Sequence, residues 1–185
     1  MIIRKATRAD SKSIAGHLFL AMEDILYKFI GEENEEKAMN LLLFFVEGKG
    51  NQYSFENCLV AEENGEVIGS INIYDGGKLD DLRSPVVHYI KSHFNPDFNP
   101  ERETQAGEYY IDSFGVNKDQ QGKGVGTQLL QYVIDEYVIK NNQTLGLLVD
   151  EDNPLAKKLY LKLGFEVVGK KTLASKKLEH LQMKA

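Results

Sequence analysis

The sequence is poor in the residues that build covalent or metal-stabilised folds. Its 185 residues include one cysteine, Cys58, four prolines and no tryptophan. A single cysteine excludes an internal disulfide framework and any zinc site built on cysteine pairs. None of the four histidines forms an HExxH motif or pairs with Cys58 at ligand spacing: His17, His88, His93 and His180. We therefore expect no metal ion.

Long apolar runs and an excess of positive charge are also missing. A membrane-spanning helix needs about 18 or more apolar residues, and no such run occurs. The opening residues, MIIRKATRADSK, contain no apolar signal core. Lys and Arg number 22 against 28 Asp and Glu, a net charge of −6, whereas nucleic-acid-binding surfaces are usually basic. We expect a cytoplasmic protein that binds neither membrane nor nucleic acid and whose acidic surface suits a cationic substrate.

The apolar pattern predicts one domain over residues 1–185, with helices and strands in the order β-α-α-β-β-insertion-β-α-β-α-β-β. Helical periodicity follows Asp10 and Asn34, each of which we expect to cap a helix. Asn64-Gly65 between two strand-like runs predicts a hairpin. The later β-α-β unit requires a parallel pair, and the antiparallel hairpin before it makes the sheet mixed. The predicted fold class is therefore α/β or α+β, a mixed sheet with helices on both faces.

Residues 75–107 are an insertion in this pattern. Ser84-Pro85 predicts the start of a short helix, and Asn95 to Gly107 should be irregular. Two interpretations stay open. The segment is either a surface insertion or a lid or wall of a substrate site, because long ordered loops are often functional.

A glycine-rich turn, Gln121-Gly122-Lys123-Gly124-Val125-Gly126, separates a predicted strand from a predicted helix. Glycines let several backbone N–H groups point at one spot, and the helix N-terminus adds partial positive charge. The turn therefore suits a pyrophosphate, although a tight turn without a ligand is the alternative. Its spacing matches neither a P-loop nor the dinucleotide fingerprint.

The same turn matches the Q/R-x-x-G-x-G/A signature of the GNAT acyltransferases. The preceding strand, Tyr110 to Val116, resembles that family's central strand, and Asn153-Pro154-Leu155-Ala156-Lys157-Lys158-Leu159-Tyr160 resembles its second signature. The resemblance covers nearly the whole chain apart from residues 75–107. It implies acetyl-CoA as the donor and a sheet in which Leu145–Val149 parts from Phe114–Val116 to hold the thioester.

The resemblance also implies roles for individual residues at the donor site. Backbone groups of the strand would meet pantetheine, the amides of the turn would hold the pyrophosphate, and a backbone N–H near Phe114 would stabilise an oxyanion. Lys157 and Lys158 would either approach the 3′-phosphate or form a solvated helix face. The expected acetyl-CoA contacts are Phe114, Gly115, Val116, Gln121, Gly122, Lys123, Gly124, Val125, Gly126, Thr127, Asn153 and Lys157.

Three residues are the candidates for moving protons. Tyr160 occupies the position of the family's usual acid, which would protonate the leaving thiolate, and its alternative is a core aromatic. Glu108 and Asp112 stand four apart on one strand, so both should face the same side and either could act as general base. Solvent exposure or ordinary ion pairing is their alternative. His180 is a weaker third candidate, and nothing near Cys58 in sequence supports a covalent intermediate.

The expected function is acetyl-CoA-dependent transfer of an acetyl group to a primary amine of a small molecule or a peptide. A non-catalytic acyl-CoA sensor of the same fold is the first alternative, and a nucleotide-binding module using the glycine turn is the second. The sequence leaves the acceptor and the general base open. Exposed terminal strands leave a homodimer as one open arrangement.

Overall fold

The computed structural model describes residues 1–185. Seven strands form a single sheet: β1 (Ile2–Lys5), β2 (Cys58–Glu63), β3 (Glu66–Asp75), β4 (Tyr109–Val116), β5 (Leu145–Asp150), β6 (Glu166–Leu173) and β7 (Lys176–Met183). Five helices accompany it: α1 (Ser11–Ile30), α2 (Glu35–Glu47), α3 (Leu79–His93), α4 (Val125–Val133, continued by a π-helical turn over Ile134–Ile139) and α5 (Pro154–Leu163). No helix combines the length and apolar character needed to cross a membrane.

The strand order across the sheet is β1-β2-β3-β4-β5-β7-β6. Every neighbouring pair is antiparallel except β4 and β5, which are parallel. The fold class predicted from the sequence is therefore confirmed. The parallel pairing also explains the long crossover through α4, because parallel neighbours cannot be joined by a tight turn.

Helices cover both faces of the sheet. One core lies between the sheet and α4 with α5, and it includes Leu129, Leu145 and Phe165. The other lies between the sheet and α1 with α2 and α3, and it includes Ile14, Leu42 and Ile90. Each helix buries apolar side chains on one face in one of these two cores, as the periodicity predicted.

Local signals place most element ends as predicted. Asn64 and Gly65 both have positive φ, 53° and 82°, as a two-residue hairpin between β2 and β3 requires. Asn34 caps α2 by accepting a hydrogen bond from the Lys37 amide at 3.0 Å. Asp10 precedes α1 but does not cap it with its side chain. Its carboxylate instead accepts from the Thr7 amide and pairs with Arg4.

The predicted start of the helix in the insertion is wrong. The helix begins at Leu79 rather than at Ser84, and Pro85 lies inside it. Asp75 Oδ1 accepts from the Gly77 amide at 2.9 Å, which nucleates a 3₁₀ turn leading directly into α3. Leu79 is fully buried and anchors this first turn. Pro85 lacks an N–H, yet the tertiary packing of α3 outweighs that loss.

Candidate active site

The sheet opens at its centre because β4 and β5 pair over only part of their length. Tyr109, Tyr110 and Ile111 align with Leu145, Gly146 and Leu147. Beyond these pairs β4 continues to Val116 and β5 to Asp150 without pairing to each other. The expected parting of Phe114–Val116 from Leu145–Val149 is thus present, leaving a gap at the carboxyl ends of the two strands.

The glycine-rich turn borders one end of this gap. The amides of Gly122, Gly124, Val125, Gly126 and Thr127 have no hydrogen-bond acceptor within the protein. Gly122 and Gly124 adopt φ values of 76° and 86°, which aim successive N–H groups outward. Free amides beside the N-terminus of a helix provide a favourable environment for an anion.

A cavity of about 450 Å³ lies over these amides. It brings together most of the expected donor contacts: Phe114, Gly115, Val116, Gln121, Gly122, Gly124, Val125, Gly126 and Thr127. Lys123 does not line it and donates instead to Gln120. The walls leave little spare room, since a Cβ added to Gly126 would approach the Phe114 ring to 3.2 Å.

A larger cavity of about 720 Å³ adjoins the first. The two share Leu20, Ala21 and Phe114 in their linings, so they meet where β4 leaves β5. The larger cavity is bounded by α1, by the segment Asn95–Glu103, by the β5 end and by the tip of the β6–β7 hairpin. Asp112 and Tyr160 both line it.

Asp112 stands at an irregularity in β4. Asn72 pairs with Ser113 and Ile73 with Ile111, so Asp112 has no partner on β3. A bulge of this kind re-aims a side chain. Asp112 Oδ2 accepts from Gln52 Nε2 and from the Tyr74 hydroxyl, each at 2.9 Å, while Oδ1 accepts no hydrogen bond. Burial raises the pKa of Asp112 above its ordinary value, against the opposing effect of these donors.

Glu108 occupies a different environment and lines neither cavity. Its Oε1 accepts from the Thr104 hydroxyl at 2.7 Å, and its Oε2 accepts from His180 Nε2 at 2.8 Å and Gln182 Nε2 at 2.7 Å. The side chain is fully buried. Burial alone would raise the pKa of Glu108, but the donors from His180, Thr104 and Gln182 outweigh it and lower the pKa.

Tyr160 lies on the inner face of α5 and is 7% exposed. Its ring meets Phe114 and Phe165 edge to face. The hydroxyl makes no hydrogen bond within the protein, and burial raises the pKa of the phenol, so it stays protonated at neutral pH. An unengaged hydroxyl at a cavity wall is free to donate to a bound group.

Asn153 and Lys157, the other two predicted donor contacts, are both engaged within the protein. Asn153 lines the larger cavity, and its Oδ1 caps α5 by accepting from the Ala156 amide at 3.1 Å. Lys157 Nζ lies 2.6 Å from Glu179 Oε2 and lines neither cavity. A phosphate contact by Lys157 would require that ion pair to open.

Cys58 is buried, and burial raises the pKa of its thiol to about 12. Such a thiol is a poor nucleophile at neutral pH because the thiolate is the reactive form. No cluster of three or more His, Cys, Asp or Glu side chains is placed to hold a metal ion.

Three cavity residues escaped the sequence reasoning: Gln52, Arg83 and Glu103. Gln52 Nε2 bridges Glu103 Oε1 at 2.7 Å and Asp112 Oδ2 at 2.9 Å, and Arg83 pairs with Glu103. Each comes from a different part of the chain. No local pattern marks them, because only the tertiary fold brings them together.

Comparison with known proteins identifies the family. The family model described as Acetyltransferase (GNAT) family matches residues 19–165. A crystal structure of an acetyltransferase is 30% identical, with a TM-score of 0.80 over 100% of this chain and 99% of that one. No match appears among curated proteins.

Two more distant structures share the fold. An N-acetyltransferase from Staphylococcus aureus Mu50 is 19% identical, with a TM-score of 0.83 over 99% of this chain and 100% of that one. A putative acetyltransferase from Salmonella typhimurium, solved with acetyl-CoA, is 22% identical, with a TM-score of 0.60 over 99% of this chain and 92% of that one.

The family model matches most of this chain, which therefore belongs to the GNAT acetyltransferase family. It is therefore an acyltransferase that uses acetyl-CoA as donor. The gap between β4 and β5, with its free amides at one end and its titratable groups at the other, is the candidate active site.

Proposed function

We propose that this protein transfers an acetyl group directly from acetyl-CoA to a primary amine of a small molecule or a peptide. The observation that carries the proposal is the meeting of two cavities at Phe114. One cavity presents five free amides to an anion, and the other presents a carboxylate and a phenol. A donor and an acceptor can thus meet at one point.

The residues around the smaller cavity would hold acetyl-CoA. The free amides of residues 122–127 would bind the pyrophosphate, since the partial positive charge of a helix N-terminus favours anions. Phe114, Gly115 and Val116 would offer backbone groups to pantetheine, because this stretch of β4 lacks a partner on the β5 side. Asn153 would border the thioester end from the start of α5.

Asp112 is the proposed general base. An amine that enters as an ammonium gives its proton to Asp112, and its lone pair then attacks the thioester carbonyl. The raised pKa of Asp112 strengthens it as a base, and its free Oδ1 leaves a site for the proton. Glu108 is less suited, because it lines neither cavity and already accepts three hydrogen bonds.

Tyr160 is the proposed general acid. A C–N bond forms as the C–S bond breaks, and the departing thiolate takes the phenolic proton of Tyr160, which solvent then restores. Glu108 acts as a positioning residue in this scheme. Its bond to Thr104 fixes the segment that presents Glu103 to the cavity wall.

Thiol release from acetyl-CoA in the presence of a panel of amines tests the proposal. We expect free CoA to appear only when an amine is present, with a matching amount of acetylated amine. Binding of acetyl-CoA without amine-dependent release would contradict the proposed enzyme and support an acyl-CoA sensor.

A further inference from the structure

The acceptor end of the larger cavity combines apolar walls with five acidic residues. Asp112 is the one nearest in sequence to Phe114, where the two cavities meet, and it has no ion-pair partner. Glu103 pairs with Arg83, Asp150 lies 3.8 Å from Lys176, and Asp97 and Glu101 are exposed. Its walls come partly from α1, α3 and the Asn95–Glu103 segment, whose apolar side chains include Met22, Ile25, Phe29, Val86 and Phe98. Phe29 and Phe98 pack edge to face with ring centroids 4.8 Å apart. This arrangement suits a ligand with one cationic end and an apolar body.

All three cations of the cavity lining already have partners. Arg83 pairs with Glu103 and donates to the carbonyls of Pro100 and Glu101. Lys28 Nζ donates to the Ala174 carbonyl at 3.1 Å. Lys176 Nζ lies 3.3 Å from Asp24 and 3.8 Å from Asp150. A carboxylate on the acceptor would therefore enter the cavity without a free counter-charge, which is costly away from water.

The rim of the cavity is closed by contacts between separate segments. The hairpin tip reaches α1 through Lys28 and Lys176. It also reaches the Asn95–Glu103 segment, because the Ala174 amide donates to Glu101 and Lys171 Nζ donates to the Glu103 carbonyl at 2.7 Å. A peptide acceptor needs an open channel for the residues that follow its reacting amine. These cross-links join the segments that form the rim, and we expect them to hinder the entry of a peptide chain.

We propose that the acceptor is a small primary amine with an apolar body and no carboxylate, bound with its nitrogen toward Asp112. This inference rests on the proposed function. In the reaction the amine gains the acetyl group and gives one proton to Asp112. CoA leaves with the electron pair of the C–S bond and takes a proton from Tyr160. The apolar walls hold the body of the acceptor and set its size.

A matched series of acceptors tests the substrate class. The series is 2-phenylethylamine, free phenylalanine, a tripeptide beginning with phenylalanine, and 1,4-diaminobutane. The first three share one apolar body and differ in what is attached beside the amine. We expect kcat/KM for 2-phenylethylamine to exceed each of the others by more than about tenfold. An unpaired carboxylate or a peptide chain meets a poor environment in the cavity, and 1,4-diaminobutane lacks the apolar body that the walls would bury.

A cavity-wall variant tests where the body binds. Phe98→Ala should raise the KM for 2-phenylethylamine about tenfold, equivalent to about 1.4 kcal/mol, while the KM for acetyl-CoA stays within about twofold. Phe94→Ala is the matched control, since Phe94 lies four residues earlier, is 37% exposed and lines neither cavity. It should leave both KM values unchanged.

The outcomes separate the two proposals. Preference for the tripeptide, the amino acid or the diamine would overturn the inference of a small apolar amine and leave amine acetylation intact. An unchanged amine KM in Phe98→Ala would also overturn it. Failure of every amine to release CoA would overturn the proposed function, and the inference with it.

Discussion

The rings of Phe114 and Tyr160 meet edge to face, with centroids 6.3 Å apart and planes inclined at 72°. Phe114 belongs to the part of β4 that has left β5, and Tyr160 belongs to α5 beyond the gap. Phe114 lines both cavities, so the contact places the phenol beside their meeting point. This contact is the reason we propose Tyr160 as the acid for the leaving group.

Tyr160→Phe should slow transfer while preserving the fold and donor binding. The change removes only the hydroxyl, so the aromatic contacts persist, and the lost acid should lower kcat by ~10²–10⁴. Acetyl-CoA affinity should stay within a few-fold. Single-turnover kinetics and calorimetry measure the two effects.

Tyr132→Phe is the control for that variant, since Tyr132 lies on α4, is 36% exposed and lines neither cavity. It should react like the wild type. Near-wild-type single-turnover transfer by Tyr160→Phe would reduce Tyr160 to a packing residue and reopen the choice of acid.

Asp112→Asn and Glu108→Gln distinguish the two candidate bases through their pH profiles. Wild-type kcat/KM should fall as pH drops through the pKa of Asp112, which burial raises above its ordinary value. Asp112→Asn should remove that acidic limb and lower the rate by ~10²–10⁴. Glu108→Gln should keep the limb and lose about 1–3 kcal/mol of folding stability, because its hydrogen bonds with His180 and Gln182 are disturbed.

The pH dependence of kcat/KM is measured for both variants to follow the acidic limb. Chemical denaturation of both variants measures their folding stability. Loss of the acidic limb in Glu108→Gln, with the limb retained in Asp112→Asn, would transfer the role of base to Glu108.

Gly124→Glu should strongly weaken acetyl-CoA binding at the free amides. The new side chain adds bulk and like charge where the pyrophosphate would lie, so we expect acetyl-CoA affinity to fall at least about a hundredfold. Gly50→Glu is the matched control, because Gly50 also has positive φ, 66°, and open space around it, but lies in a turn away from both cavities. Unchanged calorimetric affinity in a folded Gly124→Glu protein would reject this site.

The ion pair of Arg4 and Asp10 predicts a pH-dependent contribution to stability. Arg4 lowers the pKa of Asp10 to about 2, so the folded state holds the charged carboxylate more firmly than the unfolded chain does. That stabilisation of roughly 2 kcal/mol is complete above about pH 4 and is lost as pH falls through about pH 2. Asp10→Asn should therefore cost less stability in acid than at neutral pH.

Urea denaturation at about pH 7 and about pH 3 measures this difference. Asp24→Asn removes an exposed carboxylate, 72% accessible in its contact with Lys176, and should change stability by less than about 0.5 kcal/mol. If Asp10→Asn lowers the free energy of unfolding equally at both pH values, the ion pair of Arg4 and Asp10 makes no pH-dependent contribution to stability.

The sequence predicted the framework because the signals that set it are local. Asn64-Gly65 fixes a hairpin through its backbone geometry, and the glycine turn fixes the strand-to-helix junction before α4. It misplaced the start of α3 because Pro85 resembles a first helical residue. A tertiary anchor at Leu79 and the turn capped by Asp75 override that local preference.

The chemistry of the site depended on contacts that no local pattern records. From the sequence alone, Glu108 and Asp112 were equivalent candidates for the general base, because they stand four residues apart on one predicted strand. The fold surrounds Glu108 with donors from β7 and Thr104, while it places Asp112 at a bulge beside a cavity. The side chains that donate hydrogen bonds to Glu108 are 4 to 74 positions away from it along the chain.

The most direct test of the account follows the acetyl group itself. Acetyl-CoA labelled in the acetyl carbons is mixed with excess protein and 2-phenylethylamine, quenched at successive times and analysed by mass spectrometry. The account predicts that label passes from acetyl-CoA to the amine nitrogen, that CoA thiol appears at the same rate, and that the protein never carries label. Label accumulating on the protein before it reaches the amine, or no labelled amine with any primary amine supplied, would contradict direct transfer at the gap between β4 and β5.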